Sequence, residues 1–581
     1  MAEAGGDGAI RSWRRAIYTT GLSTAWLGKT VNGQRERLWG RDVSRIGARL
    51  LLLCAFVTGL ALEPAPRAAS QTTPVPAWAK AAIKQAYEAV PPAQIFDEGD
   101  IPQFLPQDEI DFDTLGWIES YMPNSPNGFL THGNAFFTSN GITVNGRSCI
   151  TCHQPPTGWS VTPSTLQQRF INTNGTDPVF DPVDGKNCPD AGYHAGNLND
   201  LAAASSLLLN KGLFRIFLPV PTQTTCVPPS PKTCTSGQPV QFTVAVLHDP
   251  YGCENSEKYG LNAPTPMISV YRRPLPSTNL NFVTNAADNI MWDGREPSLE
   301  SQASDATQVH GQAPNPPTTA EIDQMVEFEG GDSTLPGGGV FTAQNAFFPA
   351  GLTTSDGATG GAIELSTDPD GIKGDAGSPN NTVFLMFEPW GLLTATDFND
   401  LYRESVARGE DLFNNFEFTI AGVAGLNDVT KGIVNGGPDT TGTCATCHNQ
   451  TYSGSDSFKG AEHNIGLTGD QPAAAPLTPD LPWFAITCTS GQYETAAGIQ
   501  TVTTPVTFVT SDPGAATITG LCFDIGKLKV PVLRGLAARA PYFHNGSAKT
   551  LLDVVNFYNI RFNIGYTDQQ EADLVNFLNS L

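Results

Sequence analysis

The chain has 581 residues, and 33 Lys/Arg against 57 Asp/Glu give a formal charge of −24. So acidic a surface argues against nucleic acid as a partner. The length exceeds what one core serves, so two or three domains are expected, and 58 Gly with 45 Pro point to a loop-rich chain.

Residues 1–70 read as an export signal with an N-terminal extension. Arg35, Arg37, Arg41, Arg45 and Arg49 precede the apolar run 50–62, and Ala68-Ala69-Ser70 offers small residues for cleavage, the order of a secretory signal peptide. The run is too short to span a bilayer, and no other segment reads as a transmembrane anchor. Cys54 lies inside the run without a lipobox. Residues 1–34 are longer than an ordinary basic leader, and no hydrophobic run closely follows Arg14-Arg15, so a true start further downstream is expected. A periplasmic or secreted location follows.

A Pro/Ala-rich lead-in, 71–100, holds one helical stretch, 77–87. The next division, 101–390, contains Cys149-Ile-Thr-Cys152-His153, and the last, 391–581, contains Cys444-Ala-Thr-Cys447-His448. C-x-x-C-H is the attachment pattern of c-type haem: two thiols add to the vinyl groups and the histidine ligates iron. Two chance occurrences are negligible, and a zinc site built from both CxxC pairs would leave both histidines unexplained. The expected cofactors are therefore two covalently bound haem c, with His153 and His448 as iron ligands. A strongly acidic surface then suits a basic electron carrier such as a small cytochrome, although solubility explains the charge equally well.

The first haem division is swollen by the loop 228–238 and the Gly- and Asp-rich stretch 330–381. Within the latter, Asp368-Pro-Asp370-Gly-Ile-Lys-Gly-Asp375 spaces oxygen ligands closely enough for calcium but lacks the EF-hand pattern, and a solvated turn is the stronger reading. In the second division, apolar spacing predicts a helix over 396–413 and another over 567–581, the latter opened by a capping box from Thr567 to Gln570. Two helices around a C-x-x-C-H segment suit a cytochrome c domain. The expected fold is mainly α: two cytochrome c-type haem domains, the first with long loop-rich insertions. Beyond the haem cysteines and Cys54, six cysteines remain, with fifteen possible pairings. Proximity favours Cys226–Cys234 and Cys488–Cys522, which leaves Cys188–Cys253.

Two further stretches carry a family likeness. Asn262-Ala-Pro264-Thr265 precedes Met291-Trp292-Asp293-Gly294-Arg295, with Gln302 following. Later come Lys529-Val530, Leu533-Arg534, then Ala540-Pro541-Tyr542-Phe543-His544-Asn545-Gly546. Together these resemble the bacterial di-haem cytochrome c peroxidases, the superfamily that includes MauG. The resemblance implies a substrate-binding haem on His153, a six-coordinate haem on His448, and Trp292 between them as a relay or a core residue. It gives Asp293 and Arg295 structural or propionate-binding roles, and places His463 and His544 in turns beside the second haem.

The departures from that pattern matter more. Where the peroxidases carry a methionine ligand, this chain has Tyr558, as in MauG; a tyrosine ligand stabilises oxidised iron and lowers the potential. Glu254 replaces a distal histidine, and Gln312 replaces a catalytic glutamate. His310, two residues earlier, could act as acid or base for O–O cleavage or could simply be packed. His132, His194 and His248 have no evident partner. The leading expectation is a peroxidase-like enzyme, with Trp292, Gln302 and His310 as its catalytic set and hydrogen peroxide as oxidant. O2 chemistry as in rubber oxygenases, MauG-like oxidation of a protein, and a non-catalytic electron carrier with two closed haems are the alternatives.

Overall fold

Where Val, Ile, Thr and aromatic residues alternate with exposed positions, the chain forms strands. β2 (Phe242–His248) shows it best, while β1 (Phe214–Pro219) and β3 (Met267–Arg272) carry consecutive buried residues. The computed structural model describes residues 108–112, 117–122, 136, 142–190, 197–226, 234–285, 290–330, 339–345, 383–394, 398–427, 439–456, 462–469, 478–495 and 498–581. The predicted signal segment, the helix over 77–87 and the calcium candidate at 368–375 lie outside these residues. Among the described residues no helix is long and apolar enough to cross a membrane.

The mainly α expectation is wrong. The described residues are 35% helix and 19% strand, a mixed α/β composition with several small sheets. Strands form before, between and after the C-x-x-C-H strings. There, β-branched alternation outweighs the loop character suggested by glycine and proline. β1 pairs antiparallel with β3. β2 pairs with β4 (Trp483–Cys488), which pairs in turn with β5 (Val506–Thr510). This three-stranded sheet draws β2 from one side of the expected 390/391 boundary and β4 and β5 from the other. Phe242, Phe484, Ile486 and Cys488 face one core with Leu218, Ile268 and Val270. All three expected disulfides are present: Cys188–Cys253, Cys226–Cys234 and Cys488–Cys522.

The helices that frame the two haem strings follow local signals. α1 (Pro163–Thr173) starts with Thr162 capping and Pro at its first position, a position where the missing N–H costs nothing. α2 (Leu299–Val309) is capped by Ser298, and α3 (Thr319–Glu329) opens with a Thr318/Glu321 capping box. α4 (Phe398–Asn415), α5 (Leu551–Phe562) and α6 (Asp568–Asn579) enclose the second string. α4 and α6 match the two helices expected from sequence, and Thr567 caps α6 with Gln570 as foreseen. The α4–α6 crossing depends on Gly409, because a β-carbon there would collide with the Asp573 carbonyl. Asp573 accepts from Ser405 and is paired with Arg408. Beside the crossing, Phe384, Phe387, Phe413 and Phe577 pack edge to face.

A buried ion cluster ties the segment around Trp292 to the later chain. Arg272, at the end of β3, pairs with Asp293 at 2.6 Å and with Asp512 at 2.7 Å, and all three side chains are at most 3% exposed. Burial alone would weaken the Arg272 charge, but Asp512 and Asp293 outweigh it and raise its pKa. Burial likewise opposes the Asp293 charge, yet Arg272 and Arg295 hold that carboxyl down to about 2. Replacing Arg272→Met strands the buried Asp512 and leaves Asp293 with Arg295 alone, and a loss of about 3–5 kcal/mol is expected. Urea unfolding of the variant beside the parent protein checks this; a change under 1 kcal/mol would refute the central role given to the cluster.

Candidate functional site

The two C-x-x-C-H strings fold into the same turn. Cys149–Thr151 and Cys444–Thr446 each form one turn of 3-10 helix. In each, a threonine hydroxyl accepts the backbone N–H three residues back: Thr151 from Ser148 at 3.0 Å, Thr446 from Thr443 at 2.9 Å. The histidine N–H then closes onto the first cysteine's carbonyl, His153 onto Cys149 and His448 onto Cys444.

Six residues beyond each histidine, the backbone adopts a left-handed conformation, at Trp159 (φ 55) and Gly454 (φ 66). That twist aims a carbonyl back at the imidazole. Trp159 O lies 2.9 Å from Nδ1 of His153, and Gly454 O lies 2.6 Å from Nδ1 of His448. A left-handed tryptophan is costly; here its ring is fully buried and its indole N–H donates to Ser120 Oγ at 2.8 Å. With Nδ1–H given to a carbonyl, Nε2 keeps its lone pair, the tautomer an iron-ligating histidine needs. Burial keeps both rings neutral, pushing His153 down to about 4 and lowering His448. Cys149, Cys152, Cys444 and Cys447 are free thiols, while the other six described cysteines are paired. Turn, tautomer and free thiols all fit covalently held haem.

The cavity at His448 contains about 1690 Å³ of empty space, part of it open to solvent. Its wall is largely apolar and includes Cys444, Cys447, Tyr558, Trp292, His463 and His544. Tyr558 stands on α5 among Phe543, Phe557 and Phe562. Burial, with Cys447 and Cys444 nearby, raises its phenol pKa. No methionine lines this cavity among the described residues; Met386 is buried elsewhere against the Arg534 guanidinium, 2.9 Å away. Trp292 donates its indole N–H to Arg273 O at 2.7 Å and packs edge-on to His544, ring centres 6.1 Å apart. His463 is held by Asp456 at 2.9 Å. Asp293 and Arg295 pair with each other within the Arg272 cluster.

The cavity at His153 is smaller, about 720 Å³. Gln302, Ala306 and His310 recur every four residues along α2 and its C-cap, with Ala303 and Thr307 beside them, so one helical face lines the wall. His310 Nδ1 lies 2.6 Å from Asp184. Two lining residues on α3 escaped the sequence reading, Met325 and Glu329. Met325 brings a thioether to the wall, 3.9 Å from the Thr307 hydroxyl. Glu329 has one carboxyl oxygen without a hydrogen-bond partner, and burial raises it to about 8. The helical spacing of Met325 and Glu329 was the only signal that could have paired them with this cavity.

Cys149, Cys152, His153, Gln302 and His310 therefore share one cavity, and Trp292, Cys444, Cys447, His448 and Tyr558 share the other. Gln312 and Glu254 line neither. Gln312 follows the helix at φ 53, and Glu254 accepts from the Ser269 N–H at 2.9 Å, raised by burial to about 7. His248 sits against Pro479 O and Trp483, and His132 and His194 lie outside the described residues.

No family model matches the chain. A cytochrome-c peroxidase of Denitromonas iodatirespirans is 32% identical over 152 residues, which is 24% of this chain and 36% of that protein. The match thus spans about a third of that relative's length. A crystal structure of a MauG-like protein associated with microbial copper homeostasis aligns over 83% of this chain and 94% of that one, at 15% identity and a TM-score of 0.32. That overlap is too low to establish a shared fold.

Glu329 yields a linkage test. Folded, it keeps its proton to about pH 8; unfolded, it releases it near 4.5. The folded state then binds the extra proton across that window, so this group's contribution to stability is lost as pH rises. Glu329→Gln should flatten urea stability against pH by up to ~1.4 kcal/mol per unit within the window. Glu254 and Glu410, also raised by burial to about 7, keep their slopes, so the quantity read is parent minus variant. An unchanged slope would mean that Glu329 ionises normally.

Proposed function

We propose that this chain is an exported di-haem c-type cytochrome oxidoreductase of peroxidase type. In this reading residues 101–390 would hold one haem through Cys149, Cys152 and His153, supplying the iron that reacts with peroxide, and residues 391–581 would hold a second through Cys444, Cys447, His448 and Tyr558, supplying electrons. The observation that carries the reading is the contrast between two identical haem-binding turns. One cavity presents a histidine able to move a proton, His310, beside the Gln302 amide; the other is apolar and presents a tyrosine. The partial identity to a cytochrome-c peroxidase supports the same assignment.

When bound, the haem on His153 supplies an iron at which hydrogen peroxide is reduced. Reduction to two waters consumes two electrons and two protons, and the electrons come from a donor protein such as a small cytochrome. His310 takes the proton from the near oxygen and returns it to the leaving one, while the Gln302 amide orients the peroxide. Between the sites the protein is continuous. Ser160 and Trp292 both stand in the wall of the His448 cavity, and Ser160 follows Trp159, whose carbonyl holds His153. In this reading Trp292 serves as the aromatic relay.

Two observations favour other readings. Tyr558 favours MauG-like oxidation of a protein substrate, in which both sites share oxidising equivalents. Met325, in the wall beside His153, favours a closed first haem and a pure electron carrier.

Low-temperature EPR of the ferric protein separates these. One high-spin and one low-spin signal, with the high-spin signal lost on stoichiometric peroxide, is the expected result. Two low-spin signals indifferent to peroxide would leave an electron carrier. Tyr558→Phe should convert the low-spin signal to high-spin without loss of haem; a low-spin signal unaltered by the substitution rules out tyrosine ligation.

A further inference from the structure

We infer that Asp184 is a positioning residue for His310: its carboxylate fixes the ring in the tautomer that leaves Nε2 unprotonated toward the cavity shared with His153. The catalytic meaning of this arrangement rests on the peroxidase reading; the tautomer itself does not.

The geometry is over-determined. Asp184 is 1% exposed and uses both oxygens, one to Arg147 at 2.6 Å and the other to His310 Nδ1 at 2.6 Å. Arg147 cannot swing away, because it also donates to Pro178 O at 2.7 Å and Val179 O at 2.9 Å. It reaches His310 O at 3.2 Å as well, and Asn145 donates to the same carbonyl at 2.8 Å. His310 is thus held at its ring and at its backbone by one connected set of side chains. The following residue, Gly311, leaves no slack, since a β-carbon there would stand 2.5 Å from the Thr143 methyl and 2.6 Å from Thr307 O.

Charge balance decides what Asp184 does to the ring. Burial opposes its ionisation, but Arg147 and the His310 hydrogen bond hold its pKa low. Arg147 already neutralises the carboxylate, so holding the ring does not require His310 to be cationic. Carboxylates accept and do not donate. Nδ1 must therefore carry a hydrogen, and in the neutral ring it is Nε2 that is left as the base. A histidine oriented by a buried carboxylate is the arrangement that makes imidazole an efficient proton acceptor in other enzymes.

The test is nitrogen NMR of the haem-loaded protein labelled with 15N-histidine, reduced and saturated with carbon monoxide so that the irons are diamagnetic. His310→Gln identifies the His310 signals by their loss. The expected result is a protonated Nδ1 and a bare Nε2 in the parent, and a shift of the proton to Nε2 in Asp184→Asn. A proton on Nε2 in the parent, or a tautomer unchanged by Asp184→Asn, overturns the inference. If that variant fails to fold, the parent spectrum alone still decides. Under the peroxidase reading the same variant loses about 10²–10⁴-fold in the rate of peroxide reaction with haem content unchanged. A shifted tautomer in a protein indifferent to peroxide would refute that reading and leave the positioning role standing.

Discussion

The buried pairing of Arg272 with Asp293 and Asp512 is the constraint on which the rest of the arrangement hangs. One guanidinium is asked to satisfy two carboxylates from distant parts of the chain, 21 and 240 residues away. Neither acid tolerates burial alone, so the three segments meet in one way or the protein loses several kcal/mol. Arg295, on the other side of Asp293 at 3.0 Å, brings the count to two cations and two anions. The consequence reaches Trp292, which precedes Asp293 in the chain. Its carbonyl accepts the Lys529 N–H at 2.8 Å, and its indole donates to the carbonyl of Arg273, the neighbour of Arg272. The backbone N–H of Arg273 in turn donates to His544 O at 2.7 Å. A tryptophan in the wall of the second cavity is thus held by hydrogen bonds to segments that the ion cluster fixes, as well as by its packing on His544.

Against that frame the two C-x-x-C-H turns act as interchangeable parts. Both use a threonine hydroxyl to close the turn and a left-handed residue to orient the histidine, and within C-x-x-C-H the histidine N–H of each returns to the first cysteine's carbonyl. What differs is what each turn faces. α2 offers Gln302 and His310 to one, and α5 offers Tyr558 to the other. Local sequence builds the same ligand twice, and tertiary packing decides what chemistry surrounds it.

This division explains what the sequence disclosed. The C-x-x-C-H strings, the Thr567–Gln570 cap and the α4 and α6 helices are local, and their signals survive in any context. The disulfides followed from counting, because six cysteines with two short spacings leave one remaining pair. The fold class did not follow, since glycine and proline content drew attention to loops and away from period-two runs such as Phe242–His248. Strand partners were harder still: β2 meets β4 across more than 200 residues, and nothing in either run names the other. Asp184 was invisible for the same reason, lying 126 residues from the histidine it holds.

The first cavity shows how far environment, more than residue type, sets chemistry. Asp184 and Glu329 are both buried carboxyls close to the C-x-x-C-H turn of His153. Asp184 meets an arginine and a histidine, so burial is overcome and it stays charged. Among the described residues Glu329 meets no cation that offsets its burial, and its proton is retained to about pH 8. One acid is therefore fixed as an anion that orients a base, and the other is kept as a neutral donor in the same wall. Groups pushed apart in this way are how a single site comes to hold both a proton acceptor and a proton source at one pH. The position at which the family resemblance places a glutamate holds Gln312, which cannot exchange a proton and lies outside the lining. A carboxyl reaches the cavity nonetheless, from the next helix, and it arrives with the protonation state that an acid requires.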